Sequence, residues 1–171
     1  MIEVKAITKR YGDGTLALNG VAFSLDKKIT SIIGRNGAGK TTMLRILSTQ
    51  LLPTSGTALI NGYDVIREAG SIRRTIASIP QEAKPLAYLS ARDNIRLYLA
   101  SRGMRFHETK KAAEKAIKKV GLSEAGEKRS DELSGGMKRK IFVAMAVASQ
   151  AEIVFLDEPT TGLDPLSRME V

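Results

Sequence analysis

Apolar and polar positions alternate over the first 33 residues, a pattern that predicts short strands joined by turns. The glycines at positions 12 and 14 predict a turn after the first strand, and the last strand of this region ends at a glycine. Two further apolar segments follow later in the chain. The predicted strands cover residues 2–7, 21–25, 29–33, 57–60 and 76–79.

Helical spacing of apolar residues predicts a helix over 42–50, which ends before the breaker PTSG at 53–56. From about 86 to 151 the pattern is mostly helical, and it includes a helix over 107–120 followed by the C-capping Gly121. Residues 152–157, EIVFLD, then predict a strand that is buried on both faces.

This order of elements predicts an α/β protein in which a helical subdomain is inserted into a discontinuous core. The predicted core covers residues 1–85 and 152–171, and the helical subdomain covers 86–151.

Composition excludes several classes of site. The chain has 171 residues and no cysteine, which excludes disulfides, thiol catalysis and cysteine-bound zinc. It has one histidine, His107, which excludes a histidine-rich metal site and which we expect to be solvated at a helix start. The longest apolar run, 141–148, is too short to cross a bilayer, and residues 1–7 lack the apolar core of a signal peptide. We therefore expect a soluble protein of the reducing cell interior.

Positive charge is concentrated in one part of the chain. The formal net charge is +9, and residues 101–140 hold 12 Lys and Arg against 6 Asp and Glu, or +6 of that total. One face of the predicted helix over 107–120 carries five lysines. This face is either a solvated surface or a patch near anionic lipid headgroups, and the pattern does not choose between them.

Residues 34–41, GRNGAGKT, match the phosphate-binding loop pattern between a predicted strand and a predicted helix. Glycines allow the backbone N–H groups to turn inward, and the helix N-terminus adds partial positive charge. In this pattern Lys40 reaches the β- and γ-phosphates and the hydroxyl of Thr41 binds Mg²⁺. The alternative is a glycine-rich turn that only caps a helix.

The strand at 152–157 ends in two acidic residues, Asp157 and Glu158. A carboxylate at the end of a buried strand can hold Mg²⁺, and its neighbour can orient and polarise the attacking water. A solvated strand end often carries acids for no such reason. Together with the phosphate-binding loop, the pair indicates a nucleoside triphosphatase.

Three more motifs decide the family. LSGGM at 133–137 precedes a predicted helix, TGLDP at 161–165 follows the acidic pair, and Gln81 lies in the segment IPQ. From Tyr11 to Arg168, this set closely resembles the ATP-binding cassette of ABC transporters in order and spacing. The resemblance implies a P-loop NTPase core with an N-terminal antiparallel β subdomain and an α-helical insertion.

The resemblance also implies ATP and Mg²⁺ as cofactors and assigns roles to individual positions. Catalytic roles fall on Glu158, Gln81 and Lys40, and metal binding on Thr41, Gln81 and Asp157. The positions that resemble nucleotide-binding residues are Tyr11, Gly34, Asn36, Gly37, Ala38, Gly39, Lys40, Thr41, Thr42, Ser134, Gly135, Gly136 and Asp164.

Several of these roles have a simpler alternative. Tyr11 resembles the aromatic residue that stacks on adenine, but it is also explained as a turn tyrosine beside Gly12. Ser134 resembles the signature serine, which binds the γ-phosphate on an opposite cassette, but it is also explained as a helix cap. Asp164 resembles the loop residue that couples the two sites of a dimer.

A signature that acts on an opposite subunit implies a homodimer or heterodimer of cassettes, and the family implies transmembrane permease partners and no direct nucleic-acid contact. The resemblance places the protein in the cytoplasm, on the inner face of the membrane. Met137 in place of the usual glutamine, together with Arg139, is similar to the exporter branch for drugs, lipids, polysaccharides or haem-linked cargo. The alternatives are a non-transport cassette that acts on ribosomes or DNA, and a nucleotide-binding module with little turnover.

One departure from the family concerns the C-terminal strands. In the family, a further strand follows the loop of Asp164, ends at a histidine that contacts the γ-phosphate, and lies in the middle of the sheet. Here the chain stops at Val171. We therefore expect a truncated form of a longer cassette, with the C-terminal strands of the fold missing. This form should hydrolyse ATP far more slowly than its full-length parent, which a phosphate-release assay on both would test.

Overall fold

A computed structural model describes residues 1–81 and 83–158 of the chain. They form two compact units, of which the first covers Met1–Ile76 and the second begins at Ala77. The motif TGLDP with Asp164, and the segment up to Arg168, lie outside the described residues.

The first unit is built on a four-stranded antiparallel sheet, as the resemblance implies for the N-terminal region. Its strands have the order β2-β1-β3-β4. They are β1 (Ile2–Arg10), β2 (Leu16–Leu25), β3 (Ser55–Ile60) and β4 (Tyr63–Asp64). The turn between β1 and β2 closes where the Tyr11 N–H donates to the carbonyl of Thr15, 2.9 Å away.

Two helices complete this unit, α1 (Lys40–Leu47) and α2 (Ala69–Thr75). The predicted helix over 42–50 is therefore present, but it begins two residues earlier and ends three residues earlier than predicted. Ile46 and Leu47 of α1 and Ile72 of α2 are fully buried, like Ile7 and Ile60 of the sheet. Burial of these large aliphatic side chains, worth roughly 1.5–3 kcal/mol each, stabilises the fold around the glycine-rich loop.

The strand predicted at 29–33 is wrong, because these residues form no regular element and lie exposed. Ile29 and Ile33 are 88% and 92% exposed. An apolar run becomes a strand only when a neighbouring strand satisfies its backbone N–H and C=O groups. Within residues 1–81 and 83–158 no strand pairs with this segment.

The described part of the second unit contains three helices and a two-stranded sheet. The helices are α3 (Ala91–Ser101), α4 (Phe106–Lys119) and α5 (Gly135–Ser149), with short 3₁₀ turns at Ser123–Ala125 and Ser130–Glu132. Their shared core includes Ile95, Leu99, Ile117, Leu122 and Ile141. Gly121, with φ +68°, ends α4 in the left-handed conformation that its position predicts.

The sheet pairs β5 (Ile76–Ile79) with β6 (Ile153–Leu156), and α5 packs against it through Ala146 and the partly buried Phe142. β5 matches its predicted bounds. The prediction that β6 is buried on both faces is wrong, because Phe155 is buried whereas Val154 and Leu156 are 42% and 45% exposed. β5 is the one strand beside β6 in the described part of the chain.

None of the helices in residues 1–81 and 83–158 combines the length and apolarity that a bilayer crossing needs.

Candidate functional site

The glycine-rich loop of the first unit is exposed and ends at the N-terminus of α1. Gly37 and Gly39 have φ values of +81° and +83°, the left-handed conformation that L side chains adopt with strain. The ammonium of Lys40 donates to the carbonyls of Gly34, 2.9 Å away, and Arg35, 3.0 Å away. The lysine is thus folded over the loop, with its ammonium bound to two loop carbonyls.

Gly39 is required by space as well as by conformation. A Cβ at this position would lie 2.5 Å from the carbonyl oxygen of Ala17 and 2.8 Å from Cδ2 of Leu18, both on β2. At Gly37 a Cβ would meet no atom within 4 Å. The two glycines of the loop therefore serve different purposes. Gly39 allows α1 to begin against the sheet, whereas Gly37 allows a left-handed backbone beside open space.

The remaining predicted residues of this unit lie on the same loop or at the start of α1. Asn36 and Ala38 are exposed, and the Ala38 N–H donates to the Arg35 carbonyl at 3.1 Å, which tightens the loop. Thr41, at the second position of α1, is half-buried.

Tyr11 contacts α1 through its hydroxyl. Its oxygen lies 3.1 Å from Oγ1 of Thr42, whose side chain is buried, and the ammonium of Lys9 lies 5.5 Å from the centre of its ring. The structure therefore brings Tyr11 and Thr42 together, although they are 31 residues apart. Tyr11 also belongs to the turn between β1 and β2, because its carbonyl accepts from the Gly14 N–H at 3.0 Å.

In the second unit, the ends of β5 and β6 bring Gln81 and Glu158 together. The Asp157 N–H donates to the carbonyl of Ile79 at 3.1 Å, which continues the pairing of the two strands. Nε2 of Gln81 then donates to Oε2 of Glu158 at 2.9 Å. Asp157 is buried, and Glu158 has a φ of +46°, so the chain turns sharply between the two acids.

Arg139 of α5 reaches the same strand ends. Its Nη1 lies 3.2 Å from the Pro80 carbonyl and its Nη2 lies 3.4 Å from the Asp157 carbonyl. Burial lowers the pKa of Arg139, and the charge of Asp157 opposes that shift. In the sequence pattern, Arg139 indicates only one branch of the family. Its helical spacing to Phe142 and Ala146, which face the strands, is a signal that could have indicated this contact.

The signature motif lies at the N-terminus of α5. Ser134 is the N-cap, and its Oγ accepts from the Met137 N–H at 3.2 Å. The capping interpretation of this serine is therefore confirmed. Ser134 and Gly135 are exposed, and a Cβ at Gly135 would meet no atom of residues 1–81 and 83–158 within 4 Å, so the packing of the described residues does not require glycine there.

Comparison with known proteins decides the family. The family model for the ABC transporter domain matches residues 18–161. The chain belongs to the ABC transporter family. This confirms the resemblance that its five motifs carry, and the cassette fold follows from the same match.

Relatives of the cassette include proteins named for drug resistance. The doxorubicin resistance ATP-binding protein DrrA of Mycobacterium tuberculosis is 39% identical over 172 residues, covering 99% of this chain and 52% of its own length. The linearmycin resistance ATP-binding protein LnrL of Bacillus subtilis is 34% identical, covering 100% of this chain and 55% of its own length. The chain therefore spans about half the length of the curated relatives it matches.

A solved structure supports the fold. A dimeric post-hydrolysis state of the ATP-binding cassette MJ0796, bound to ADP and Pi, matches with a TM-score of 0.88 and 29% identity. The match covers 99% of this cassette and 79% of that chain. The predicted P-loop NTPase fold with an antiparallel β subdomain and a helical insertion is thereby confirmed.

Proposed function

We propose that this cassette is the ATP-binding and ATP-hydrolysing subunit of a membrane exporter. The observation that carries the proposal is the phosphate-binding loop, with the Lys40 ammonium folded onto the Gly34 and Arg35 carbonyls beside two left-handed glycines. A loop of this shape at a helix N-terminus offers backbone N–H groups and a cation to the phosphates of ATP. The relatives named for doxorubicin and linearmycin resistance support export over import.

The residues present also fit Mg²⁺. This cation is usually held by one or two carboxylates together with substrate phosphates, so the buried Asp157 at the end of β6 has suitable chemistry. The ligands that we propose are Thr41, Gln81 and Asp157. When bound with ATP, Mg²⁺ would neutralise phosphate charge. Phosphoryl transfer depends mainly on such positioning and charge neutralisation.

In this proposal Glu158 is the general base that orients the attacking water. Its carboxylate accepts a hydrogen bond from the Gln81 amide, which holds it in one position before it acts. Tyr11 is proposed to stack on adenine. Its hydroxyl is bound to Thr42, so the ring is held close to the start of α1.

We further propose that Ser134, Gly135 and Gly136 bind the γ-phosphate on an opposite cassette, and that Asp164 couples the two sites. The capped, exposed N-terminus of α5 suits an anion, and open space at Gly135 leaves room for one. Dimeric MJ0796 cassettes support this assembly. The remaining partners that we propose are transmembrane permease subunits, which would hold the cassette on the inner face of the membrane.

Thermal unfolding with and without MgATP tests the first step, because a ligand that binds only the native state raises the unfolding midpoint. We expect MgATP to raise the midpoint of the wild-type protein and of Glu158→Gln, but not of Lys40→Ala. Phosphate release tests the second step, ATP hydrolysis, and the rate of release should be at least about a hundredfold lower in Glu158→Gln than in the wild-type protein. An unchanged midpoint for the wild-type protein would overturn nucleotide binding, and equal release by Glu158→Gln would overturn the role of Glu158.

A further inference from the structure

Arg139 joins the signature helix to the C-terminal ends of both strands of the two-stranded sheet. It lies near the start of α5, is half-buried, and places one guanidinium nitrogen near each of two backbone carbonyls. Those carbonyls belong to Pro80 and Asp157, the residues immediately before Gln81 and Glu158. The two side chains of the proposed water-activating pair are therefore each one residue from an atom that Arg139 holds.

The shape of the guanidinium matters for this contact. It is a rigid planar fork whose donors have a constant separation, so it can relate two acceptors to each other as a flexible ammonium cannot. β5 and β6 are already joined by the bond from Asp157 N–H to Ile79 carbonyl. Arg139 adds a second connection, because its acceptors Pro80 and Asp157 lie one residue beyond the ends of β5 and β6 and directly before Gln81 and Glu158.

We propose that Arg139 is a positioning residue for ATP hydrolysis, one that fixes the ends of β5 and β6 so that Gln81 and Glu158 meet in a productive geometry. The inference rests on the proposed function, in which Glu158 is the base. Because the same helix begins at Ser134, Arg139 also ties the signature motif to the acidic strand end within one unit.

A purely structural role would have different consequences. A side chain that only stabilises the unit would, when replaced, lower the unfolding midpoint and leave the turnover of the folded fraction unchanged. A positioning residue lowers kcat with little change in KM, because it acts on the transition state and not on ATP binding. The two roles can therefore be separated by kinetics.

Two variants and one control on the same helix provide the test. Arg139→Gln removes the charge and the fork, and Arg139→Lys keeps the charge alone. Lys138→Gln is the matched control, because the Lys138 ammonium donates to the Asp131 carbonyl, 3.3 Å away, and not to the strand ends. We expect kcat to fall about tenfold to a hundredfold in Arg139→Gln, to be partly rescued in Arg139→Lys, and to be unchanged in Lys138→Gln. KM for MgATP should change less than about twofold in all three.

A double variant with Glu158→Gln checks that Arg139 acts through the pair. If it does, Arg139→Gln added to Glu158→Gln should cause little further loss, because the loss from the two changes is shared. Independent losses that multiply, or an effect on KM alone, would overturn the proposal.

Hydrogen exchange gives a readout that does not depend on activity. The amides of Ile79 and Gln81 and those at 156–158 should exchange faster in Arg139→Gln than in the wild-type protein and Lys138→Gln, with exchange in α4 unchanged. Equal exchange at the strand ends would overturn the positioning role. If the wild-type protein binds MgATP but releases no phosphate, the proposed hydrolysis fails, and the exchange comparison alone decides whether Arg139 holds the strand ends.

Discussion

Replacing Gly39 by alanine should destabilise the protein much more than the same change at Gly37, although both glycines belong to one loop. Each has a φ near +80°, so each variant bears the cost of a left-handed alanine, about 1–2 kcal/mol. Only at Gly39 does the new Cβ fall 2.5 Å from the Ala17 carbonyl oxygen. Because Ala17 lies within the paired strand β2, this atom cannot move aside cheaply.

Overpacking of this kind costs typically about 1–3 kcal/mol. The total for Gly39→Ala is then about 2–5 kcal/mol, against about 1–2 kcal/mol for Gly37→Ala. The two variants therefore differ by the overpacking cost of about 1–3 kcal/mol, and in a chain of this size each kcal/mol shifts the thermal midpoint by about 2–4 °C, so their midpoints should differ by about 2–12 °C. Gly135→Ala is the third variant of the set. It should not lower the stability, because Gly135 has no positive φ and the added Cβ would enter open space.

Thermal unfolding followed by circular dichroism, without nucleotide, measures the three variants on one scale. Nucleotide is omitted because a difference in binding would itself shift the midpoint. Equal midpoints for Gly39→Ala and Gly37→Ala would refute the reasoning, since they would mean that β2 yields to the added methyl without cost.

Three further predictions follow from single contacts. Thr42→Val and Tyr11→Phe should each lower the free energy of unfolding by about 1 kcal/mol, because each removes the same hydrogen bond. The double variant should therefore lose no more than the larger single change, and additive losses in urea unfolding would contradict this. Ser134→Ala should lower the free energy of unfolding by about 1 kcal/mol, because it removes the N-cap of α5. Ser134→Asp should keep the cap but abolish ATP-driven dimerisation, which light scattering measures. For Asp64, burial raises the pKa, but the N–H groups of Arg67 and Ile66 and the hydroxyl of Thr57 outweigh it, so the pKa lies below its ordinary value. The stabilisation by the ionised Asp64 is therefore present above the ordinary aspartate pKa and is lost as the pH falls through the lowered pKa of Asp64. Below about pH 4, the thermal midpoint of Asp64→Asn should therefore fall less on acidification than that of the wild-type protein.

Elements with strong local signals were predictable from the sequence. The helix predicted over 107–120 is α4, displaced by one residue, because alanine and isoleucine recur at helical spacing and Gly121 ends it. β5 matches its predicted bounds because its four residues begin and end with isoleucine and are followed by Pro80, which cannot continue the strand. α2 was not predicted, since Ile72 is its one buried apolar residue and a single position gives no period.

Contacts between distant residues were not predictable in the same way. Gln81 and Glu158 are 77 residues apart, and the motif pattern names both without saying that their side chains touch. The hydroxyl contact between Tyr11 and Thr42 has no local signal at all, because it depends on how the β1–β2 turn lies against α1. Such pairs are set by tertiary packing.

The error at 29–33 and the error at β6 have one physical cause. Apolar content indicates that a segment can be buried, but burial and strand pairing both require a neighbour, which the segment itself does not specify. Ile29 and Ile33 have no pairing strand in the described residues, and Val154 and Leu156 have no covering layer there. The glycine-rich loop partly escapes this difficulty because one of its requirements is internal: a left-handed φ at Gly37 and Gly39 is a property of those residues. The second requirement at Gly39, space beside Ala17 of β2, depends on a neighbour. A motif that depends on its own backbone can thus be predicted from the sequence, whereas a strand that depends on a partner cannot. Arg139 is intermediate, because its position on the helix face was predictable but the carbonyls that it contacts were not.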